Sequence, residues 1–302
     1  MTSCLFAKAP DRIVVVSDGR LSVSDAAVSF DTAKKIISFT PTYRIPRIER
    51  GYFARYADRT SADWCIAYAG NVALASEIHR LFIDRVTKGL FLTWTDGKAT
   101  LEDSFDEGAQ FGDYDFESED LIPLTPATLA GRLQCIAKAK CDEFALRRRV
   151  FPDCEFLLFG RDEETALWSG FKLYAEDAGW SPGSTASVIL EQIPDGRLTA
   201  IGSRRVAGEA YADDMLNAGL GGWQVNKSAK DMFAFLNDFD LDGSTFPTPD
   251  LAAPVHDPVD WTLPEVRRRF VDLVQRSADP AVGGDILIAT GGEYGDLTLT
   301  SG

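Results

Sequence analysis

The chain has 302 residues, enough for one large domain or two small ones. Its formal charge of −15 argues against nucleic acid and anionic membranes as partners, since both ask for a cationic face. No run of about 18 apolar residues occurs, so no membrane span is expected, and no cationic segment leads into an apolar core, so no signal peptide is expected either.

Taken in chain order, residues 2–9 and 12–17 (RIVVVS) read as two strands joined by a Pro-Asp turn. Short strands follow in LSVS and KIISFT. The stretch PTYRIPRIERGYFARYADRTSAD is polar and rich in arginine: Arg44, Arg47, Arg50, Arg55 and Arg59 stand among Tyr43, Tyr52, Phe53 and Tyr56. It reads as a solvated loop with its aromatic residues pinned to the body, or as a binding surface for an acidic partner.

DWCIAYAG is a strand ending in glycine. Val72 to Lys88 has an apolar side at helical spacing, and LFLTW reads as a strand. Residues 96–120 are acidic and glycine-containing and read as a loop or insertion. Thr125-Pro126 starts a helix that runs to about Arg149. Strand-like runs then come in CEFLLFG, TALWSGFKLY, ASVILEQI and RLTAIGS, with helices near 206–218 and 228–237. Thr262-Leu-Pro-Glu265 has capping-box spacing and opens another helix. GDILIATGG and DLTLTS close the chain as strands. Runs of strands and helices kept apart predict an α+β protein with sheets packed under helices.

Five cysteines, with no C-x-x-C pair, fit a reducing cytoplasm better than a disulfide framework or a zinc site. NDFDLDGST places Asp238, Asp240, Asp242 and Gly243 like the opening of a calcium loop, but position twelve is Pro249 instead of a bidentate acid, so no metal is expected. The two histidines are His79, in the helical stretch, and His256, in a proline-rich loop. Neither is placed like a catalytic base, so a nucleophile here needs another one.

Thr2 offers one. Removal of the initiator methionine is favoured before a small residue and would leave the Thr2 hydroxyl beside its own α-amine, whose pKa of about 7.7–8.0 suits a base at neutral pH. The amine works only when neutral, and a nearby cation depresses its pKa. Lys34 or Lys35 could supply that cation, Asp18 could hold it, and Gly70 could lend an N–H to an oxyanion.

With these residues in place the sequence resembles the proteasome β-subunit group of N-terminal nucleophile (Ntn) hydrolases, including HslV and the bacterial Anbu-type homologues. Thr2 matches the catalytic threonine. SDGR places Asp18 sixteen positions later, with Arg20 at the family's frequent arginine. KKI favours Lys35 over Lys34, and IAYAG before a helix gives Gly70. AIGS gives Ser203, and SADPAVGG gives Asp279. The position three residues on, often a second serine, is Val282 here. The stretch from Lys35 to Gly70 is longer than is usual in the family.

The resemblance implies one domain over 1–302, a four-layer αββα sandwich with insertions near 41–62, 96–120 and 238–262. It implies a threonine peptidase without a cofactor, with Thr2, Asp18, Lys35, Gly70, Ser203 and Asp279 in the catalytic site. Arg20, Leu21, Ser22 and Tyr68 would meet the substrate. It also implies a homo-oligomer, a ring or spiral, acting on peptide or protein substrate with an ATP-dependent unfoldase as partner. The rivals are an Ntn amidase for a small molecule and a catalytically silent scaffold of the same fold.

Overall fold

The computed structural model describes residues 3–9, 11–22, 29–30, 32–50, 52–95, 98–103, 124–203, 261–277, 282–292 and 296–301. Its first sheet is built on β1 (Ser3–Ala9) and β2 (Arg12–Asp18), an antiparallel pair with Cys4 opposite Ser17. All seven residues of β1 are buried, so the strand is covered on both faces. Side chains alternate along a strand. Cys4 and Phe6 accordingly join one apolar cluster, and Leu5 and Ala7 join another. Two short strands, β3 (Leu21–Ser22) and β4 (Ser29–Phe30), pair with each other just beyond β2.

The second sheet begins with β5 (Ile36–Phe39). The next two strands, β6 (Thr42–Glu49) and β7 (Tyr52–Thr60), form a hairpin with a bulge between Arg47 and Ile48. This corrects the loop reading of the arginine-rich stretch. Tyr43 and Ile45 are buried with the half-exposed Arg44 between them, an alternation that breaks at the buried Pro46 and the exposed Arg47 beside the bulge. The arginines also stack on aromatic rings, Arg44 over Phe91 at 4.9 Å and Arg59 over Tyr43 at 6.0 Å.

β8 (Trp64–Gly70) leads into α1 (Val72–Lys88), where the Asn71 side chain accepts the N–H of Leu74 at 3.1 Å. β9 (Leu90–Thr95) and β10 (Lys98–Glu102) complete a four-stranded sheet ordered β10-β9-β6-β7. Part of the loop expected over 96–120 is therefore strand; the remainder of it lies outside the described residues. α2 (Pro126–Arg148) is capped by Thr125, has proline in its first turn, and ends at Arg149 in the left-handed conformation with φ 53°.

β11 (Cys154–Arg161), β12 (Trp168–Glu176) and β13 (Ser187–Gln192) complete the second sheet in the order β13-β12-β11-β8-β5. β14 (Leu198–Gly202), β15 (Ile286–Gly291) and β16 (Leu297–Ser301) complete the first, in the order β14-β1-β2-β15-β16. The remaining described helix, α3 (Leu263–Ser277), starts where Glu265 accepts both the N–H and the hydroxyl of Thr262. The helices expected near 206–218 and 228–237, the acidic turn at 238–243 and His256 lie outside the described residues.

Three apolar clusters hold these parts together. Cys4, Phe6 and Val15 of the first sheet meet Cys65, Ala67, Leu157 and Phe159 of the second. Leu5, Val14 and Val16 meet Val266, Phe270 and Leu273 of α3. Trp64, Ile66 and Phe156 meet Ile78 and Phe82 of α1 and Leu133 and Ala137 of α2. Burial of this kind contributes roughly 1.5–3 kcal/mol for each large apolar side chain. The α+β class expected from the sequence is the one observed. No described helix is long and apolar enough to cross a membrane.

Candidate functional site

β2 carries three valines in a row that favour an extended, buried strand, and Asp18 is its last residue. There the Asp18 carboxyl gathers four donors. Oδ1 accepts the backbone N–H of Ser3 at 2.7 Å and the ammonium of Lys35 at 2.9 Å. Oδ2 accepts the N–H of Gly283 at 3.1 Å and that of Arg20 at 3.3 Å. Lys35 also donates to the carbonyl of Arg20, whose N–H donates to the carbonyl of Gly283 at 2.8 Å. Lys35 thus reaches from the start of β5, in the second sheet, to the end of a first-sheet strand. Of the two lysines in KKI, Lys35 is fully buried on Asp18, while Lys34 is exposed.

Burial pushes Lys35 below the ordinary lysine range, and the Asp18 carboxylate pushes back. Burial pushes Asp18 upward, and Lys35 with the N–H groups of Ser3 and Gly283 pulls it down. Because every approaching atom is a donor, a proton on either Asp18 oxygen would face another hydrogen. The arrangement therefore holds an ammonium–carboxylate pair.

Gly70 closes β8 at φ +90°, a backbone that side chains rarely adopt, and a Cβ there would sit 2.4 Å from the carbonyl oxygen of Asp153. That same carbonyl accepts the N–H of Asn71, so strand end and helix start are fixed together. Gly70 is three residues beyond Ala67, the partner of Ile36, which follows Lys35. Ser203 is fully buried and follows Gly202, whose Cα partner is Ser3. Val282 is buried in the cluster under α3 and offers no hydroxyl.

Tyr68 is not brought to this group. Ala67 and Ala69 face the first sheet, whereas Tyr68 points the other way, toward the helices. It stacks on His79 with ring centroids 4.9 Å apart and planes 15° apart. His79 holds the carbonyl of Ala75, and burial pushes its pKa down, so it packs as expected. Leu21 and Ser22 pair with β4 through their backbones. Thr2 and Asp279 lie outside the described residues. Among the described residues no cluster of three metal-binding side chains occurs.

One residue went unnoticed in the sequence. Glu155, in the otherwise apolar CEFLLFG, accepts the N–H of Gly202 at 3.1 Å, across from one sheet to the other. A lone acid inside such a run is the signal that marks it.

No family model and no curated protein matches this sequence. Among solved structures it is similar to the Anbu (Gly-1) mutant from Hyphomicrobium sp. strain MC1, with a TM-score of 0.53 and 13% identity over 100% of this chain and 87% of that one. Anbu from the same strain gives 0.49 and 11% over the same shares. Anbu from Yersinia bercovieri, described as an ancestral beta-subunit, gives 0.48 and 14% over 99% and 82%. At such identities the first of these likenesses bears on the fold alone: this chain has an α+β fold similar to that of Anbu, carried by a very different sequence.

Proposed function

We propose that this chain is an N-terminal threonine hydrolase of the proteasome β-subunit type, cleaving amide bonds of peptide or protein substrates through a Thr2 acyl-enzyme. The observation that carries the reading is the buried Lys35–Asp18 pair, whose carboxylate also takes the N–H of Ser3, the residue joined to Thr2. A buried lysine is expensive unless it has work or a partner. Here it stands beside the end of the strand that Thr2 precedes.

In this reading Thr2 Oγ attacks the substrate carbonyl and its α-amine takes the proton, later giving it to the leaving amine. Lys35 keeps that amine neutral by its charge, and Asp18 fixes Lys35. The N–H of Gly70 receives the oxyanion. Ser203 and Asp279 orient the amine and the water that frees the acyl group. Arg20, with Leu21 and Ser22, flanks the substrate.

The contacts between two sheets and between each sheet and its helices support one four-layer αββα domain over 1–302. The resemblance of the sequence motifs to the proteasome β-subunit group extends the reading to assembly of several copies into a ring or spiral, with an unfoldase supplying folded substrates.

Hydrolysis of fluorogenic peptides by wild type and by Thr2→Ala tests the reading. Turnover in the wild type and none in a folded Thr2→Ala variant is expected. Equal turnover in the two overturns it.

A further inference from the structure

We propose that Glu155 is a positioning residue of this site: it ties the end of β14 to the second sheet beside Ser3, and its negative charge sets the pH range in which the site works. This rests on the hydrolase reading above. Four neighbours of Glu155 along β11, Cys154, Phe156, Leu157 and Leu158, are buried and carry no carboxylate. Glu155 itself is half-buried, and a partly desolvated acid still costs stability unless it holds a donor. It holds the N–H of Gly202, which belongs to the other sheet.

The place is what matters. Gly202 has φ +101°, so the chain turns there in a conformation reserved for glycine, and its Cα partner is Ser3. Asp18 takes the N–H of Ser3 while Glu155 takes the N–H of Gly202 opposite. The end of β1 that continues into Thr2 therefore lies between two carboxylates. The same bond fixes where the buried Ser203 begins. Loss of it would free the β14 end relative to β11 and blur the position of the Ser203 hydroxyl, and misplacement of about 1 Å is enough to lower a rate substantially.

The charge acts as well. Cys4 on β1 lies within electrostatic reach of Asp18, Lys35 and Glu155 together, so these charges share one neighbourhood. Other titratable and charged groups around it are Arg20 after β2, Asp153 just before β11, Cys154 on it, Tyr68 on β8, and Lys172, Tyr174 and Glu176 on β12; the Tyr174 hydroxyl donates to Glu191 of β13 at 2.9 Å and the Lys172 ammonium to the carbonyl of Ala200 on β14 at 3.1 Å. Lys35 favours the neutral amine of Thr2, and a second carboxylate favours the protonated one. Glu155 thus offsets part of the effect of Lys35 and holds the acid limb of the rate at higher pH.

The test is the pH dependence of kcat/KM for the full-length protein with Glu155→Gln and Glu155→Ala, with Thr2→Ala assayed alongside. Glutamine keeps an oxygen for Gly202 and removes the charge. Its acid limb should move to lower pH by about 0.5–1 unit. Alanine removes the tie as well and should lower kcat by about tenfold. An unmoved acid limb in Glu155→Gln overturns the inference, as does a Glu155→Ala protein with wild-type kcat. Either result leaves the hydrolase reading standing if turnover still vanishes in Thr2→Ala. Turnover that survives Thr2→Ala overturns the hydrolase reading, and this inference with it. Should Glu155→Ala fail to fold by circular dichroism, the glutamine profile decides alone.

Discussion

Replacing Lys35 by methionine removes the ammonium and keeps the bulk of the side chain. Lys35 and Asp18 have side-chain exposures of 0% and 2%, so water cannot replace the lost partner. At 2.9 Å the pair attracts by about 6 kcal/mol at an effective dielectric constant of about 20. Desolvation takes back part of this. The Ser3, Arg20 and Gly283 N–H groups remain to soften what Asp18 loses. Removing one partner of a buried pair typically costs about 3–5 kcal/mol, and that is the loss expected for Lys35→Met. Asp18→Asn should cost a similar amount, since its amide nitrogen would turn toward a donor. In Asp18→Asn/Lys35→Met neither charge is left alone, so the double variant should recover about 2 kcal/mol or more relative to the sum of the singles. Urea unfolding at pH 7, followed by circular dichroism in 0.15 M and 1 M salt, reads this directly. The deficit should be the same at both salt concentrations, because a buried pair is little screened. Singles within about 1 kcal/mol of wild type, or strictly additive effects, would refute the reasoning.

Glycine substitutions should act in opposite directions at two sites. Gly70→Ala meets the Asp153 carbonyl at 2.4 Å with φ +90° and should cost at least about 1–3 kcal/mol in urea unfolding. Gly131→Ala, in the middle of α2 with nothing within 4 Å of its new methyl group, should stabilise by about 0.5–1 kcal/mol. Thr125→Ala removes the hydroxyl that accepts the Thr128 N–H at 3.2 Å and should cost about 1 kcal/mol in the same assay. His79 has its pKa pushed down by burial from the ordinary 6.5. The unfolded chain therefore binds the proton more readily, and stability falls as pH drops below about 6.5. Urea midpoints between pH 7.5 and 5 should decline less steeply in His79→Gln than in wild type; parallel curves would show that His79 does not titrate differently on folding.

Much of this was legible in the sequence because local signals agreed. Val72–Lys88 carries an apolar side at helical spacing, and α1 has those bounds. Asp18 and the Lys34–Lys35 pair were singled out because a threonine nucleophile without a histidine calls for a cation held by a carboxylate; the family resemblance favoured Lys35, the lysine that sits on Asp18. The hairpin of β6 and β7 was hidden because its buried residues, Tyr43 and Ile45, alternate with arginines and are followed by a proline that suits only an irregular or edge position. The side on which Tyr68 packs was not legible because facing depends on parity: the small Cys65, Ala67 and Ala69 lie between the sheets, leaving the large residues to the helices. Glu155 needed the third dimension, since its partner Gly202 is 47 positions away.

The most direct test of the central claim is the intact mass of the purified protein with and without a peptide epoxyketone, a warhead that requires a free α-amine and its neighbouring hydroxyl together. Loss of Met1 and a single adduct, absent in Thr2→Ala, is the predicted result. Met1 retained, or an adduct that persists in Thr2→Ala, would contradict the account.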